Sequence, residues 1–309
     1  YSSYILYKFA KKNVFMELIK IAFVGNSDNF DAYRKVLSRY SEDVEFIGAW
    51  FPADKPTDYP DNEFLSLEDL HAEADAVIFL GKVRRKIISD SIKALKHIFI
   101  EDYDVLMNAE IKYMADLAVE AKIMAQVSFP KIYFWGIEDI VDEYHTIRNI
   151  FFNREYLYQQ QRQEVDIIPE IMASIMLVGE DVIRANQSFY PLISKRTEMQ
   201  IVNLEFVTKA TSTITGIPVG FFEKHDLRII AERNLAYIDL RKREWHSLRP
   251  AKAITGNLIK GLAGLPEVGD LEQFELQDFI YSIKENSKPF ISLDEIVRLH
   301  NCLKLLLES

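Results

Sequence analysis

Short apolar runs alternate with amphipathic segments from Met16 to about Phe134. The apolar runs are rich in Ile, Val or Phe and predict β-strands at Ile19–Val24, Val44–Trp50, Ala76–Leu80, His97–Glu101 and Ile123–Phe129. The intervening segments predict helices at Asn29–Tyr40, Ser66–Glu73, Lys86–Leu95 and Val105–Lys122. Such alternation is typical of a parallel sheet covered by helices on both faces. We therefore predict a doubly wound α/β domain over residues 16–134, preceded by an N-terminal extension, residues 1–15.

The pattern changes after Phe134. Helices are predicted at Ile137–His145, Ile168–Val178 and Leu293–Leu307, whereas "TIRNIFFNREYLY", "MQIVNLEFVTKATSTITGI", "DLRIIAER" and "NLAYIDLRK" are typical of strands. Polar and apolar residues alternate in "MQIVNLEFV", which places Asn203 on one face of a sheet and Val202 and Leu204 on the other. Residues 135–309 are thus predicted to form an α+β domain with a mostly antiparallel, open sheet.

The composition limits the kinds of molecule that the protein is expected to bind. The 309-residue chain carries 37 basic and 47 acidic side chains, and its net charge of −10 argues against general binding to nucleic acid or anionic membranes. Its one cysteine, Cys302, allows neither an internal disulfide nor a thiolate metal site, and the six histidines lack zinc-site spacing, so no metal is expected. No signal peptide or membrane span is apparent, and we expect a cytoplasmic protein.

The turn after the first strand carries one part of a dinucleotide-binding fingerprint. In "IKIAFVGNSDNFDAYRKVLSRY" only Gly25 matches the glycines that this Rossmann-like turn needs. Asp28 is expected to cap the following helix, and Asp31 lies in its first turn, where both carboxylates would repel a phosphate. The backbone amides of Gly25, Asn26 and Ser27 could still hold a phosphate if these aspartates point away.

The order of elements resembles a known family. The stretch "ADAVIFLGKVRRKIISDSIKALKHIFIEDYDVLMNAEIKYMADLAVEAK", followed by a sheet domain and a late "ELQDFIYSIKENSKPFISLDEI", is similar to the Gfo/Idh/MocA family of NAD(P)-dependent oxidoreductases. The similarity extends from about Leu18 to the C-terminus. It implies a Rossmann-like domain, a second sheet domain, an NAD(P) cofactor and pairing of the sheets between two subunits.

The residues that this resemblance would assign to function are mostly replaced. Phe51 stands where the family has an acidic residue for the ribose hydroxyls, and Leu80-Gly81-Lys82 replaces a Thr-Pro pair. The family's Glu-Lys-Pro becomes Glu101-Asp102-Tyr103, so that Asp102 stands at the position of the catalytic lysine. The catalytic histidine falls on Pro169 or Glu170, although Asp166 of the same motif is retained.

The segment "GKVRRK" places four cations at the end of a predicted core strand. Ligands of open α/β sheets bind at this edge, so Lys82, Arg84 and Arg85 are candidates for an anion site. We expect nearby carboxylates, Asp28, Asp31 and Asp102, to pair with these cations internally. A bound phosphate or other small anion is the alternative.

Taken together, the replacements predict a family member that has lost NAD(P) binding and hydride transfer and acts as a binding or regulatory module. No cofactor is then expected, and the partners would be a second copy through the C-terminal sheet and a small anion or a protein. The alternative is an active NAD(P)-dependent oxidoreductase on a sugar-like or small polar substrate. In it Glu101 would line the nicotinamide side and Tyr103 would donate a proton. A third possibility is a purely structural subunit whose cleft is filled by aromatic side chains.

Overall fold

The computed structural model describes residues 18–25, 28–52, 63–107, 110–144, 146–156, 166–191, 198–218, 224–232, 234–242, 244–249, 252–257 and 271–309. The predicted N-terminal extension and two of the candidate phosphate-binding residues, Asn26 and Ser27, lie outside these residues. The chain divides into two compact units. The N-terminal unit comprises the described residues of 18–130 and 271–297, and the C-terminal unit comprises those of 131–257 and 298–309.

The N-terminal unit contains a five-stranded parallel sheet. Its strands are β1 (Ile19–Gly25), β2 (Val44–Trp50), β3 (Ala76–Leu80), β4 (His97–Ile100) and β5 (Ala125–Val127), in the spatial order β2-β1-β3-β4-β5. The helices are α1 (Phe30–Arg39), α2 (Leu67–Glu73), α3 (Arg85–Lys93) and α4 (Ile111–Ala121), with a 3₁₀ turn at Tyr103–Leu106. This order of strands and helices confirms the predicted Rossmann-like, doubly wound architecture.

A helix from the end of the sequence completes the core of this unit. The helix α8 (Leu271–Glu285) buries Leu276, Phe279 and Ile280 in the hydrophobic cluster that also contains Phe99. The predicted boundary assigned residues 271–297 to the second domain, whereas their contacts group them with the first. Burial of these apolar side chains accounts for that grouping.

The C-terminal unit contains an eight-stranded sheet in the order β13-β12-β11-β10-β6-β9-β8-β7. Its strands are β6 (Ile147–Tyr156), β7 (Val182–Pro191), β8 (Glu198–Phe206), β9 (Thr211–Pro218), β10 (Lys224–Ala231), β11 (Leu235–Asp239), β12 (Glu244–Arg249) and β13 (Lys252–Asn257). Every neighbouring pair is antiparallel except β6 and β9. The helices α6 (Ile137–Glu143) and α7 (Ile168–Val178) belong to this unit, whereas α5 (Pro130–Phe134) and α9 (Leu293–Glu308) each include residues of both units. The predicted α+β class is confirmed.

The alternation predicted for β8 is also present. Val202, Leu204 and Phe206 are buried, whereas Asn203 is exposed on the opposite face. The helix α7 is buried almost throughout, as its apolar sequence requires. Within the described residues no helix is long and apolar enough to cross a membrane.

Candidate functional site

Gly25 ends β1 at the edge of the sheet where ligands of this fold bind. Its φ of +90° suits glycine, and a Cβ atom there would lie 2.5 Å from the carbonyl oxygen of Leu80 and 2.8 Å from Cγ2 of Val83. The close approach that excludes a side chain is therefore made by the chain's own β3 end. Packing within the unit is enough to require glycine at this position.

Glu101, directly after β4, connects three segments at this edge. Its Oε2 accepts a hydrogen bond from the backbone N–H of Gly81 at 2.6 Å, and its Oε1 accepts one from the side-chain amide of Asn29 at 2.9 Å. Hydrogen bonds to a carboxylate are stronger than those between neutral groups. The protein thus supplies its own negative charge where β3 ends and α1 begins.

The start of α1 differs from the prediction. Asn29, and not Asp28, is the N-cap residue, and no side chain caps the helix. The predicted Asp28 cap is wrong because the helix begins one residue later and the Asn29 side chain is directed to Glu101. Asp31 does lie in the first turn, where a negative charge stabilises the helix dipole.

Phe51, at the position of the ribose-binding acid, joins an aromatic cluster. Its ring centroid lies 6.1 Å from that of Phe30, which in turn makes an edge contact with Phe23 at 5.1 Å. A phenyl ring accepts no hydrogen bond from a ribose hydroxyl. Phe51 therefore does not fit the role of the family's ribose-binding acid.

The residues at the family's lysine position and beside it have local roles. Asp102 Oδ1 accepts a hydrogen bond of 2.9 Å from the backbone N–H of Asp104 and so caps the 3₁₀ turn. The ring of Tyr103 stacks on Phe129 with a centroid distance of 4.7 Å. Both side chains thus contribute to the structure of the β4 and β5 ends.

The predicted basic residues line a pocket of about 540 Å³ in the N-terminal unit. Its lining consists of Lys82, Val83, Arg84, Arg85, Asp102, Asp104 and Val105. The pocket is open, and most of its lining side chains are charged. The structure therefore brings the candidate cations together with Asp102.

The internal pairing expected for these cations is largely absent. Arg85 has a distant ion pair, 3.9 Å, with Glu110. Among the described residues no carboxylate lies within 4.0 Å of the Lys82 or Arg84 side-chain nitrogens, so the predicted pairing with Asp28, Asp31 and Asp102 is wrong for these two. Asp102 does not pair with these cations because its carboxylate caps the 3₁₀ turn.

In the C-terminal unit, the two residues at the family's histidine position lie in the first turn of α7. Pro169 is buried there, and Glu170 is fully buried with Oε1 3.3 Å from Nη1 of Arg154 and 3.2 Å from Nε2 of His225. Arg154 also donates to the backbone carbonyl of Asp166 at 3.0 Å. The sequence does not indicate His225 as a functional residue, because its proximity to Glu170 depends on the pairing of β10 with β6, which sets His225 opposite Arg154.

The other titratable residues of interest have structural surroundings. Burial lowers the pKa of His97, whose Nδ1 accepts a hydrogen bond of 2.9 Å from the Met124 N–H. Burial likewise raises the pKa of the Cys302 thiol to about 12, which leaves it protonated and unreactive near neutral pH. The described part of the chain contains no group of three or more His, Cys, Asp or Glu side chains that could hold a metal ion.

No family model matches the sequence, and no curated protein does. Solved structures do match. UDP-N-acetylglucosamine 3-dehydrogenase GnnA from Acidithiobacillus ferrooxidans has a TM-score of 0.74 and 14% identity, with 95% of this chain and 98% of that chain covered. The dehydrogenase MviM from Clostridium difficile has a TM-score of 0.72 and 16% identity, with 95% and 100% covered. Levoglucosan dehydrogenase in complex with NADH has a TM-score of 0.72 and 12% identity, with 94% and 96% covered.

At sequence identities this low, the structural matches establish a shared fold and nothing about function. The matches cover nearly the whole of each chain and therefore include both units. They confirm the fold implied by the resemblance to the Gfo/Idh/MocA oxidoreductases.

Proposed function

We propose that this chain is a divergent homologue of the Gfo/Idh/MocA oxidoreductases that binds a small anion at the strand-end pocket and does not carry out hydride transfer. The observation that carries the proposal is the packing of Phe51 on Phe30 at the position of the family's ribose-binding acid. The ribose hydroxyls of a dinucleotide would find no hydrogen-bond acceptor in a phenyl ring.

The replaced side chains support the same conclusion. Asp102 carries a charge opposite to that of the family's lysine, and Phe51 packs against Phe30. An active oxidoreductase would need Tyr103 as the proton donor to substrate, whereas the ring of Tyr103 is stacked on Phe129. NAD(P) would be the cofactor of that alternative, since one matched dehydrogenase is in complex with NADH.

Titration with NADH and NADPH tests the loss of the cofactor. Nicotinamide fluorescence and thermal shift of the full chain should show no saturable binding up to millimolar concentrations. Binding with a Kd near 1 μM, about −8 kcal/mol, would contradict the proposal. It would favour the alternative of an active oxidoreductase on a sugar-like substrate, a class suggested by the names of the matched GnnA and levoglucosan dehydrogenase.

The basic pocket supports the choice of an anion as ligand. Lys82, Arg84 and Arg85 line it, and a ligand with one or two negative charges would offset like-charge repulsion among them. Asp102 and Asp104 also line the pocket and would disfavour a highly charged polyanion. We therefore expect a small phosphate or carboxylate compound.

Calorimetry with inorganic phosphate and citrate tests this pocket. The double variant Lys82→Ala/Arg84→Ala should weaken binding by about tenfold or more, equivalent to ~1.4 kcal/mol. The exposed Lys93, at the other end of α3, offers a control outside the pocket, and Lys93→Ala should bind like the wild type. Equal binding by all variants, or no binding to the wild type, would remove the anion site from the proposal.

We further propose a homodimer formed through the open face of the C-terminal sheet. Phe151 is 40% exposed at the centre of this face and lies opposite Thr213 on β9 and Arg228 on β10. The surrounding side chains are a mixture of polar and apolar groups, as at many interfaces. Phe151→Glu should convert a dimer to a monomer in sedimentation experiments. The control is Val119→Glu on α4, where the valine is 67% exposed.

A further inference from the structure

The C-terminal unit contains a buried polar cluster that the anion pocket does not involve. Glu170 is fully buried, and its Oε1 faces both Arg154 and His225. Among the residues that the structure describes, its Oε2 has no hydrogen-bond partner. A carboxylate removed from water usually has both oxygens hydrogen-bonded, so this arrangement is unusual for a group that serves only the fold.

The Nε2 atom of His225 also lacks a hydrogen-bond partner among the described residues. This atom is enclosed and lies 3.2 Å from Oε1 of Glu170, yet the angles do not give a hydrogen bond. The side chain nevertheless keeps 10% of its surface exposed. Because Nε2 is enclosed, that exposed surface belongs to other atoms of the His225 side chain.

The charged groups around the imidazole are few. Glu170 faces it from α7, and Arg154 lies opposite it on β6. The other neighbours are the rings of Trp135, in edge contact at 4.8 Å, and Phe152. Lys224 and Asp226, which flank the histidine on β10, pair with each other and point to the opposite face of the sheet.

We propose that Glu170 and His225 form an acid–base pair, in which His225 exchanges a proton with a bound molecule and Glu170 is the positioning residue. As the ligand O–H bond breaks, an N–H bond forms on the imidazole, and the electron pair stays on the ligand oxygen. The Glu170 carboxylate offsets the positive charge on the imidazole. Arg154 holds the carboxylate in place with a hydrogen bond of 3.3 Å.

Carbethoxylation by diethyl pyrocarbonate tests whether the imidazole is accessible and titrates. The reagent modifies neutral imidazoles, and peptide mass spectrometry of the intact folded chain identifies which histidine reacts. We expect His225 to react with a rate that rises with pH. Glu170→Gln should increase that rate, because the carboxylate that offsets the charge of the protonated imidazole is lost. Glu170→Asp, which keeps the charge, should restore most of the wild-type behaviour.

The exposed His246 on β12 is the matched control, and its rate should be the same in all variants. A purely structural pair predicts that His225 stays unmodified while His246 reacts, and that result would overturn the proposal. So would equal His225 rates in the wild type and Glu170→Gln. If Glu170→Gln fails to fold, NMR of the His225 ring protons in the wild type tests the proposal instead. An imidazole that exchanges no proton would show no titration between about pH 5 and pH 8, and that result would also overturn the proposal. None of these results depends on the binding of NADH or of an anion.

Discussion

The backbone N–H of Gly81 donates a hydrogen bond of 2.6 Å to the carboxylate of Glu101. It links the ends of β3 and β4 at the edge where a dinucleotide would meet the sheet in this fold. This carboxylate therefore connects the two strand ends within the N-terminal unit.

Glu101→Ala should lower the free energy of unfolding by about 1–2 kcal/mol, since two partly exposed hydrogen bonds to a charged group are lost. Urea denaturation measures the change. Glu120, exposed on α4, provides the control, and Glu120→Ala should stay within about 0.5 kcal/mol of the wild type. Equal effects of the two substitutions would mean that Glu101 does not stabilise the strand ends.

Gly25→Ala should be among the most destabilising glycine substitutions in the chain. The added Cβ would meet the Leu80 carbonyl at 2.5 Å, and the φ of +90° disfavours alanine, so we expect a loss of about 2–4 kcal/mol. Gly179 also has a positive φ, +73°, but a Cβ there meets nothing within 4 Å. Gly179→Ala should therefore cost only about 1 kcal/mol in the same urea experiment. Similar losses at both sites would show that contact with β3 contributes little at Gly25.

The stability of the protein should fall as the pH is lowered through about 6.5, in part because of His97. Burial lowers the pKa of this imidazole in the folded state below its ordinary value of 6.5. The unfolded chain therefore takes up a proton at a pH where the folded chain does not, and protonation favours unfolding. The stabilising contribution of neutral His97 is complete above the unfolded-state pKa and decreases as the pH falls towards the folded-state pKa.

Urea denaturation of the wild type and His97→Gln at about pH 7.5 and about pH 5.5 measures this contribution. We expect the difference in stability between these two pH values to be smaller in His97→Gln than in the wild type. His246→Gln, at an exposed site, should leave that difference unchanged. An unchanged pH dependence in His97→Gln would show that His97 is not responsible.

Much of the fold could be predicted from the sequence because the core strands are continuous apolar runs. The predicted bounds of β2 and β3 agree with the structure, and every residue of β3 is buried. The strand β7 was not predicted, because it lies at the edge of the sheet and carries exposed polar residues among its apolar ones. Partial exposure of an edge strand removes the alternation on which such predictions depend.

The candidate site could be predicted only in part. The sequence indicated Glu101 and Glu170, since Glu101 lies at the end of a predicted strand and Glu170 at the start of a predicted helix. It could not identify the partners of their carboxylates, Asn29 and His225, because these contacts depend on how distant segments pair in three dimensions. A contact between residues far apart in sequence leaves no periodic signal.

The last prediction concerns Glu275, which attaches α8 to the N-terminal unit. Its carboxylate is fully buried and accepts hydrogen bonds from the backbone N–H of Phe129 at 2.5 Å and from the Ser128 hydroxyl at 2.8 Å. Glu275→Ala would leave both donors buried without this acceptor, so we expect a loss of about 3 kcal/mol. The exposed Glu285, at the end of the same helix, is the matched control, and Glu285→Ala should be nearly neutral. Hydrogen exchange adds a local readout, because the Phe129 amide should exchange faster in Glu275→Ala than in the control. Unchanged exchange at Phe129 would contradict the attachment, because that amide donates directly to the carboxylate that holds the helix.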